Sequence, residues 1–253
     1  MHKTLIGYTG FVGSNLLSQT TFDATFNSKN IAESAGLTTD LLVVSGAPAV
    51  KWWANQNGEA DGENIQKLIA SVTKIKAKKV VLISTIDVYE TTAGQDENQE
   101  PSPVQPYGLH RLLLERALQA HFSDVTVVRL PGLFGQGLKK NVIYDLVHDN
   151  QVAVINRASV FQWYDLSRLW SDINIALSHG LKVVNLFPAP LETDTLVARF
   201  FPDLRAHTAH DETKRAIYGH QSAHAHLFGG ADGYIQSKDE VLAGLRTYLG
   251  RSA

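Results

Sequence analysis

Cysteine is absent from the chain. That excludes a disulfide framework, a thiol nucleophile and any thiolate metal site. Excess basic charge is missing too. The formal net charge is -2, which leaves no positive field to gather nucleic acid or an anionic membrane surface. No apolar run is long enough to span a bilayer. The opening residues show no signal-peptide pattern, because Met1-His2-Lys3 leads straight into a short apolar run, and no export is expected. A cytoplasmic protein is the expectation. What is present is ordinary for a globular chain. The 253 residues are 44% hydrophobic and 19% charged, enough for one large domain or one domain with a small appendage.

Apolar, β-rich runs recur at residues 40–45 (DLLVVS), 79–84 (KVVLIS), 125–130 (VTVVRL) and 182–187 (KVVNLF). Continuous runs of this kind are buried on both faces, as in parallel sheets. Residues 64–75 place Ile65, Leu68, Ile69 and Val72 on one helix face, and residues 109–121 also read as helix. This alternation predicts an α/β fold with a Rossmann-like, doubly wound parallel sheet. The second strand has only a short, weak pattern at residues 23–27. Residues 1–135 read as a dinucleotide-binding core. Residues 136–253 read as a small substrate-binding region mixed with returning sheet elements, all in one integrated domain. In that second part the pattern predicts a helix from residue 138 to 148 and a strand at 152–155. Aromatics and leucines follow at helical spacing over 161–177, with further helices at 193–201 and 238–249. Residues 94–106 are polar and hold three of the eight prolines. They form a surface loop, either an active-site flap before Tyr107 or a solvated connector.

Three features carry chemistry. The first apolar run, Thr4-Leu5-Ile6, meets Gly7-Tyr8-Thr9-Gly10-Phe11-Val12-Gly13 and then a helical pattern. In such a junction Gly7 permits the tight turn, Gly10 lets backbone approach a pyrophosphate, and Gly13 lets the helix pack on the strand. The helix start then presents N–H groups and a positive dipole end to phosphate. A glycine-rich turn without a ligand is the alternative. The second feature is Ser84-Thr85-Ile86-Asp87-Val88-Tyr89, at the carboxyl end of a buried strand, where open α/β sheets bind ligands. The third is Tyr107-Gly108-Leu109-His110-Arg111. Tyr107 and Arg111 share a helix face. A cation beside a phenol lowers its pKa and suits it to exchange protons with an alcohol or carbonyl.

With these motifs the chain resembles the extended short-chain dehydrogenase/reductase superfamily, the branch of sugar-nucleotide epimerases, dehydratases and reductases. The resemblance rests on Gly7, Gly10 and Gly13, on STIDVY, on the Tyr107 motif and on Arg129-Leu130-Pro131-Gly132-Leu133-Phe134-Gly135. It implies NAD(P)-dependent hydride transfer at a hydroxyl or keto carbon of a sugar or nucleotide-sugar, by an oxidoreductase or epimerase. Aligning Val88-Tyr89 with the family's Val-Tyr pair puts Thr85, more than Ser84, at the catalytic hydroxyl. Tyr107 falls on the catalytic tyrosine. Asn64 matches a recurrent asparagine in the helix before the fifth strand. The cofactor set is Gly7, Thr9, Gly10, Phe11, Val12, Gly13, Ser45, Gly46, Ala47, Ser84, Tyr107 and Arg111, with Pro131, Gly132 and Leu133 beside the nicotinamide. Asn141, Gln162 and Tyr164 are candidates for the substrate pocket. The family also implies a homodimer through the leucine-rich helix.

The sequence departs from the family in two places. The family lysine four residues after the tyrosine, which the resemblance implies lowers the tyrosine pKa and binds the nicotinamide ribose, is Arg111 here, a longer and forked cation expected to take both roles. Activity then either persists with altered geometry or is lost while cofactor binding survives. A sensor or scaffold that binds NADP(H) without turnover is therefore the rival reading, although it needs neither Tyr107 nor a strand-end hydroxyl. At the end of the second strand, Asn27-Ser28-Lys29 offers no carboxylate for a ribose 2′-hydroxyl. Ser28 and Lys29 suit a 2′-phosphate, which favours NADP over NAD. His110 is as well placed for packing as for catalysis. Trp52-Trp53 reads as core or as a pocket wall. His207, His210, His220, His224 and His226 lack carboxylates at a ligand spacing and predict no metal site.

Overall fold

The computed structural model describes residues 1–89 and 93–250. In chain order these form β1 (Lys3–Ile6), α1 (Phe11–Gln19), β2 (Ala24–Phe26), β3 (Thr38–Val44), α2 (Lys51–Gln56), α3 (Gly58–Val72), β4 (Lys76–Thr85), α4 (Pro106–His121), β5 (Val125–Leu130), β6 (Gly132–Phe134), α5 (Val142–Val147), β7 (Val160–Phe161), β8 (Trp163–Asp165), α6 (Leu169–Ser178), β9 (Val183–Asn185), β10 (Leu191–Glu192), α7 (Thr193–Phe200) and α8 (Lys238–Leu249).

Two compact units share the chain. The first comprises Met1–Glu90, Gln99–Leu130 and Ser167–Asn185. Its six-stranded sheet runs β2-β1-β3-β4-β5-β9, and every neighbouring pair is parallel. The β-branched runs of β3, β4 and β5 make its centre, and β5 is buried along its whole length. Ile65, Leu68 and Val72 of α3 and Leu114 and Leu118 of α4 pack over Leu42, Val44, Val80, Leu82 and Val127. Removal of apolar surface from water on that scale holds the layers together. The chain leaves β1 for β2 on one side and returns to β3 on the other. Strand order therefore reverses at the carboxyl ends of β1 and β3, the place where open α/β sheets take ligands.

The second unit comprises Thr91–Asn98, Pro131–Leu166 and Leu186–Ala253. β6 pairs in parallel with β8, and β7 runs antiparallel to β10. Residues 93–98 are tied down within it. Gln95 O accepts from Gln221 N at 2.8 Å, and Glu97 takes the Ser222 hydroxyl at 2.8 Å. The first half of the polar 94–106 loop is thus anchored rather than a free flap. The two units are interleaved in sequence, whereas the division at residue 135 is a single cut.

Several elements differ from the sequence reading. Residues 161–177 are not one helix: β7 and β8 precede α6, and Phe161, Trp163 and Tyr164 are aromatic residues that favour strands. Val152–Val154 is a 3-10 turn and not a strand. The helix expected at 138–148 is only Val142–Val147, started by the Asn141 side chain, which accepts from Tyr144 N. The helix holding Asn64 precedes the fourth strand rather than the fifth, and Asn64 is exposed on it.

Candidate active site

The turn after β1 is made by backbone groups in close approach. Gly7 has φ +90°, a left-handed conformation open to glycine, and its N–H donates to Phe26 O at 2.7 Å. A Cβ on Gly7 would stand 2.6 Å from the Ser45 carbonyl, and one on Gly13 would strike the Gly7 carbonyl. The end of β3 and the start of α1 therefore both press on this turn. Gly10 is different: it is exposed, and a Cβ there meets only Gly7 O, at 3.3 Å. α1 begins after Gly10 with no side-chain cap, so its positive end is left to an outside acceptor. Thr9 is exposed beside it, with Phe11 and Val12 half-buried.

Ser45, Gly46 and Ala47 border the same turn. Ser45 Oγ donates to Ile6 O at 3.0 Å, Gly46 backs onto Ile6 and Leu68, and Ala47 packs against the core. After β2, Asn27 Oδ1 accepts from Lys29 N at 2.9 Å and shapes a turn that exposes Ser28 and Lys29. No carboxylate stands among residues 27–30. The cradle fits a dinucleotide: two glycines admit no side chain, the helix end is uncapped, and an exposed cation lies where an acid would bind a free 2′-hydroxyl.

The candidate reacting groups lie at the carboxyl end of β4. Thr85 and Tyr107 are each 9% exposed, and Thr85 lies close enough to the Tyr107 phenol to act on its ionisation. The Arg111 guanidinium carbon lies 4.0 Å from the centre of the Tyr107 ring. The expected cation–phenol pairing is present, but its consequence differs. Burial pushes the Tyr107 phenol above its usual pKa; Arg111 pulls it down, Asp87 pushes it up, and Thr85 and Lys51 pull it down. Desolvation outweighs the neighbouring cations.

Arg111 is placed differently from the ribose-binding role expected of it. Its side chain is 3% exposed, and it donates to Asp61 Oδ2 and to the Pro48 carbonyl. Asp61, on α3, is wholly buried and also accepts from His110 Nδ1 at 2.7 Å. His110 thus joins α4 to α3, a packing role. Arg111 Nε and Asp61 Oδ1 have no hydrogen-bond partner among the protein atoms.

Ser84 likewise faces protein. Its hydroxyl donates to Glu115 Oε1, and Glu115 takes Arg129 at 3.1 and 2.7 Å. Arg129 in turn donates to Tyr89 Oη at 2.8 Å, as does Asn185 Nδ2 at 2.9 Å. This buried network pins α4 to β4, β5 and β9, and so holds Tyr107 near Thr85.

Pro131, Gly132 and Leu133 belong to the second unit, where a Cβ on Gly132 would press on Gln162 O and the Trp163 ring. Asn141 Nδ2 donates to Leu133 O at 2.9 Å. Gln162 and Tyr164 are buried; Gln162 Nε2 donates to Pro188 O at 2.7 Å and His220 O at 2.8 Å. Trp52 is exposed and Trp53 half-buried. Among the described residues no three His, Asp or Glu side chains gather as metal ligands.

Asp61, Asp87, Lys51 and Glu115 were not singled out from the sequence. An arginine in place of lysine was the one available sign that a compensating acid must be near.

Residues 55–160 match the family described as RmlD substrate binding domain. No curated protein sequence matches the chain. Among solved structures, a dTDP-4-dehydrorhamnose reductase from Clostridium acetobutylicum superposes with TM-score 0.73 at 13% identity, covering 99% of both chains. The fold is that of the extended short-chain dehydrogenase/reductases. The Bacillus anthracis dTDP-4-dehydrorhamnose reductase in complex with NADP gives 0.74 at 14% identity over 98% of both chains. A dTDP-glucose 4,6-dehydratase from Streptomyces venezuelae with NAD bound gives 0.74 at 16% identity, over 99% of this chain and 96% of that one.

Proposed function

We propose that this short-chain dehydrogenase/reductase-like chain is an NAD(P)-dependent oxidoreductase or epimerase acting on a hydroxyl or keto carbon of a sugar nucleotide, with NADP favoured. The observation that carries the reading is the placement of buried Tyr107, with the Arg111 guanidinium 4.0 Å from its ring centre, beside Thr85 at the carboxyl end of β4, in the same unit as the Gly7–Gly13 cradle. A bound nicotinamide supplies or accepts hydride. Tyr107 gives its phenolic proton to the substrate oxygen in reduction and takes it back in oxidation. Thr85 steadies that oxygen with its hydroxyl. Arg111 stacks on the Tyr107 ring and favours the phenolate without binding ribose. The dTDP-sugar enzymes above, one with NADP, support the substrate and cofactor class. A sensor without turnover gains no support from them, and the placement of Tyr107 beside Thr85 speaks against it.

No helix among the described residues is long and apolar enough to cross a membrane, and a cytoplasmic location is part of this reading. So is a homodimer, supported by the exposed Leu109 and Leu113 on α4; a monomeric sedimentation mass would remove it. Fluorescence titration with NADPH and NADH, followed by turnover on dTDP-4-keto-6-deoxy sugars, tests the function. Tyr107→Phe should lower kcat by about 100-fold or more while NADPH still binds. Lys29→Ala should erase a preference for NADPH. Failure to bind either dinucleotide would sink the assignment.

A further inference from the structure

Each turnover proposed above moves one proton through Tyr107, a buried phenol. Arg111 does not relay it, because a guanidinium stays charged and this one is held by Asp61 and Pro48 O. His110, also on α4, faces the same Asp61 of α3. In another direction a chain of polar atoms leads outward. Thr85, buried with Tyr107 at the end of β4, lies close enough to the phenol to act on its ionisation. Thr85 Oγ1 donates to Asp87 Oδ2 at 3.2 Å and accepts from Asp87 N at 3.2 Å. Lys51 Nζ donates to Asp87 Oδ1 at 2.5 Å. Exposure grows along this chain: the Asp87 side chain is 19% exposed and that of Lys51 is 43%.

Two contacts keep the chain in register. Asn55, on the same short helix as Lys51, accepts from Tyr107 N at 3.0 Å. Gly108 lies so close to the Asp87 carbonyl that a Cβ would strike it. The charged groups acting on Tyr107 are therefore Arg111 on α4, Asp87 on the turn after β4 and Lys51 on α2, with Asp61 of α3 behind Arg111.

We infer that Thr85, Asp87 and Lys51 form the proton path between Tyr107 and solvent, with Lys51 as its outer station. The inference rests on the reading of Tyr107 as the acid of a carbonyl reduction. In that direction the Tyr107 O–H bond breaks as its proton joins the carbonyl oxygen. Hydride from the dihydronicotinamide joins the carbon, which is reduced as the nicotinamide is oxidised. The tyrosinate takes the Thr85 hydroxyl proton while Thr85 receives one from the Asp87 carboxyl. Asp87 is resupplied by the Lys51 ammonium, and a half-turn of its carboxyl carries the proton from the lysine side to the threonine side. Lys51 takes one proton from water. One solvent proton is consumed per carbonyl reduced, and oxidation reverses every step.

The experiment uses the full chain with NADPH bound and the variants Lys51→Met, Lys51→Arg and Asp87→Asn. Ionisation of Tyr107 is read as tyrosinate absorbance, isolated by difference from Tyr107→Phe. It should move up by about one pH unit in Lys51→Met and down by a similar amount in Asp87→Asn. On a turned-over dTDP-keto sugar, Lys51→Met should lose about tenfold to a hundredfold in kcat, recover with added methylamine, and leave NADPH affinity unchanged. Lys51→Arg should show the same loss without amine recovery. An unshifted Tyr107 titration in Lys51→Met, or full kcat with an unaltered pH profile, overturns the path. Should Asp87→Asn fail to fold, the half-exposed Lys51 variants decide. Full turnover by Tyr107→Phe would instead overturn the functional reading, and the absorbance titration would still report the coupling of Lys51 to Tyr107.

Discussion

Arg111 spans two acceptors, the Asp61 carboxylate and the Pro48 carbonyl, and a lysine is a single point charge that cannot fork between them. Arg111→Lys should therefore do more than restore a family residue. It should weaken the guanidinium's hold on the wholly buried Asp61 carboxylate, at a cost of roughly 2–4 kcal/mol in urea unfolding. Adding Asp61→Asn should recover part of that loss, giving a positive coupling in a double-mutant cycle. Equal, additive losses would contradict the pairing. At this scale the sequence marked the candidate reacting residues but not their supports. Thr85 and Tyr107 announce themselves through motif and strand-end position. Asp61 lies 50 residues from Arg111, and Lys51 36 residues from Asp87; such pairs arise from packing and leave no local pattern.

α4 is the element on which the site turns. Tyr107, Arg111 and Glu115 recur every fourth residue, so one helix face carries the phenol, its stacked cation and the acid that binds β4 and β5. Gly108 sets how near that face comes to the turn after β4. Gly108→Ala should push α4 from the Asp87 carbonyl and cost about 1–3 kcal/mol through overpacking. With Tyr107 displaced from Thr85, kcat should fall at least about tenfold, while NADPH binding at the glycine turn changes little. Steady-state kinetics beside dinucleotide titration would separate these effects. The parallel strands β3, β4 and β5 were legible because full burial writes continuous apolar runs. The short strands β7 and β8 were not, since a few aromatics in a row fit either period.

For the whole molecule, acid sensitivity is one consequence of its ion pairs. Asp194, in the second unit, takes Arg205 at 3.0 and 2.8 Å and Arg157 at 2.6 Å. Hydrogen bonds from Arg205, then Arg157, lower its pKa from the usual 3.8 to about 2. A carboxylate depressed on folding stabilises the native state above its unfolded pKa, and that stability is lost as pH falls through the folded value. Its side chain is 37% exposed, so solvent screening limits the contribution to at most about 1 kcal/mol. Stability should drop between about pH 4 and pH 2, and Asp194→Asn should flatten that drop in pH-dependent urea unfolding. An unchanged slope would dismiss the cluster as a source. The α/β architecture was legible from the alternation of runs. The interleaving of units was not, because a return to the sheet at residues 167–185 is a matter of topology.

That return has a bearing on biosynthesis. β5 is buried on all sides, and the strand that covers its outer edge is β9, made some fifty residues later. While a ribosome is still adding the intervening chain, Val127, Val128 and Arg129 offer unpaired N–H and C=O groups along an apolar edge. A nascent chain stalled at residue 135 should therefore be sticky rather than a free-standing nucleotide-binding module, and one released after residue 185 should be the first with that edge closed.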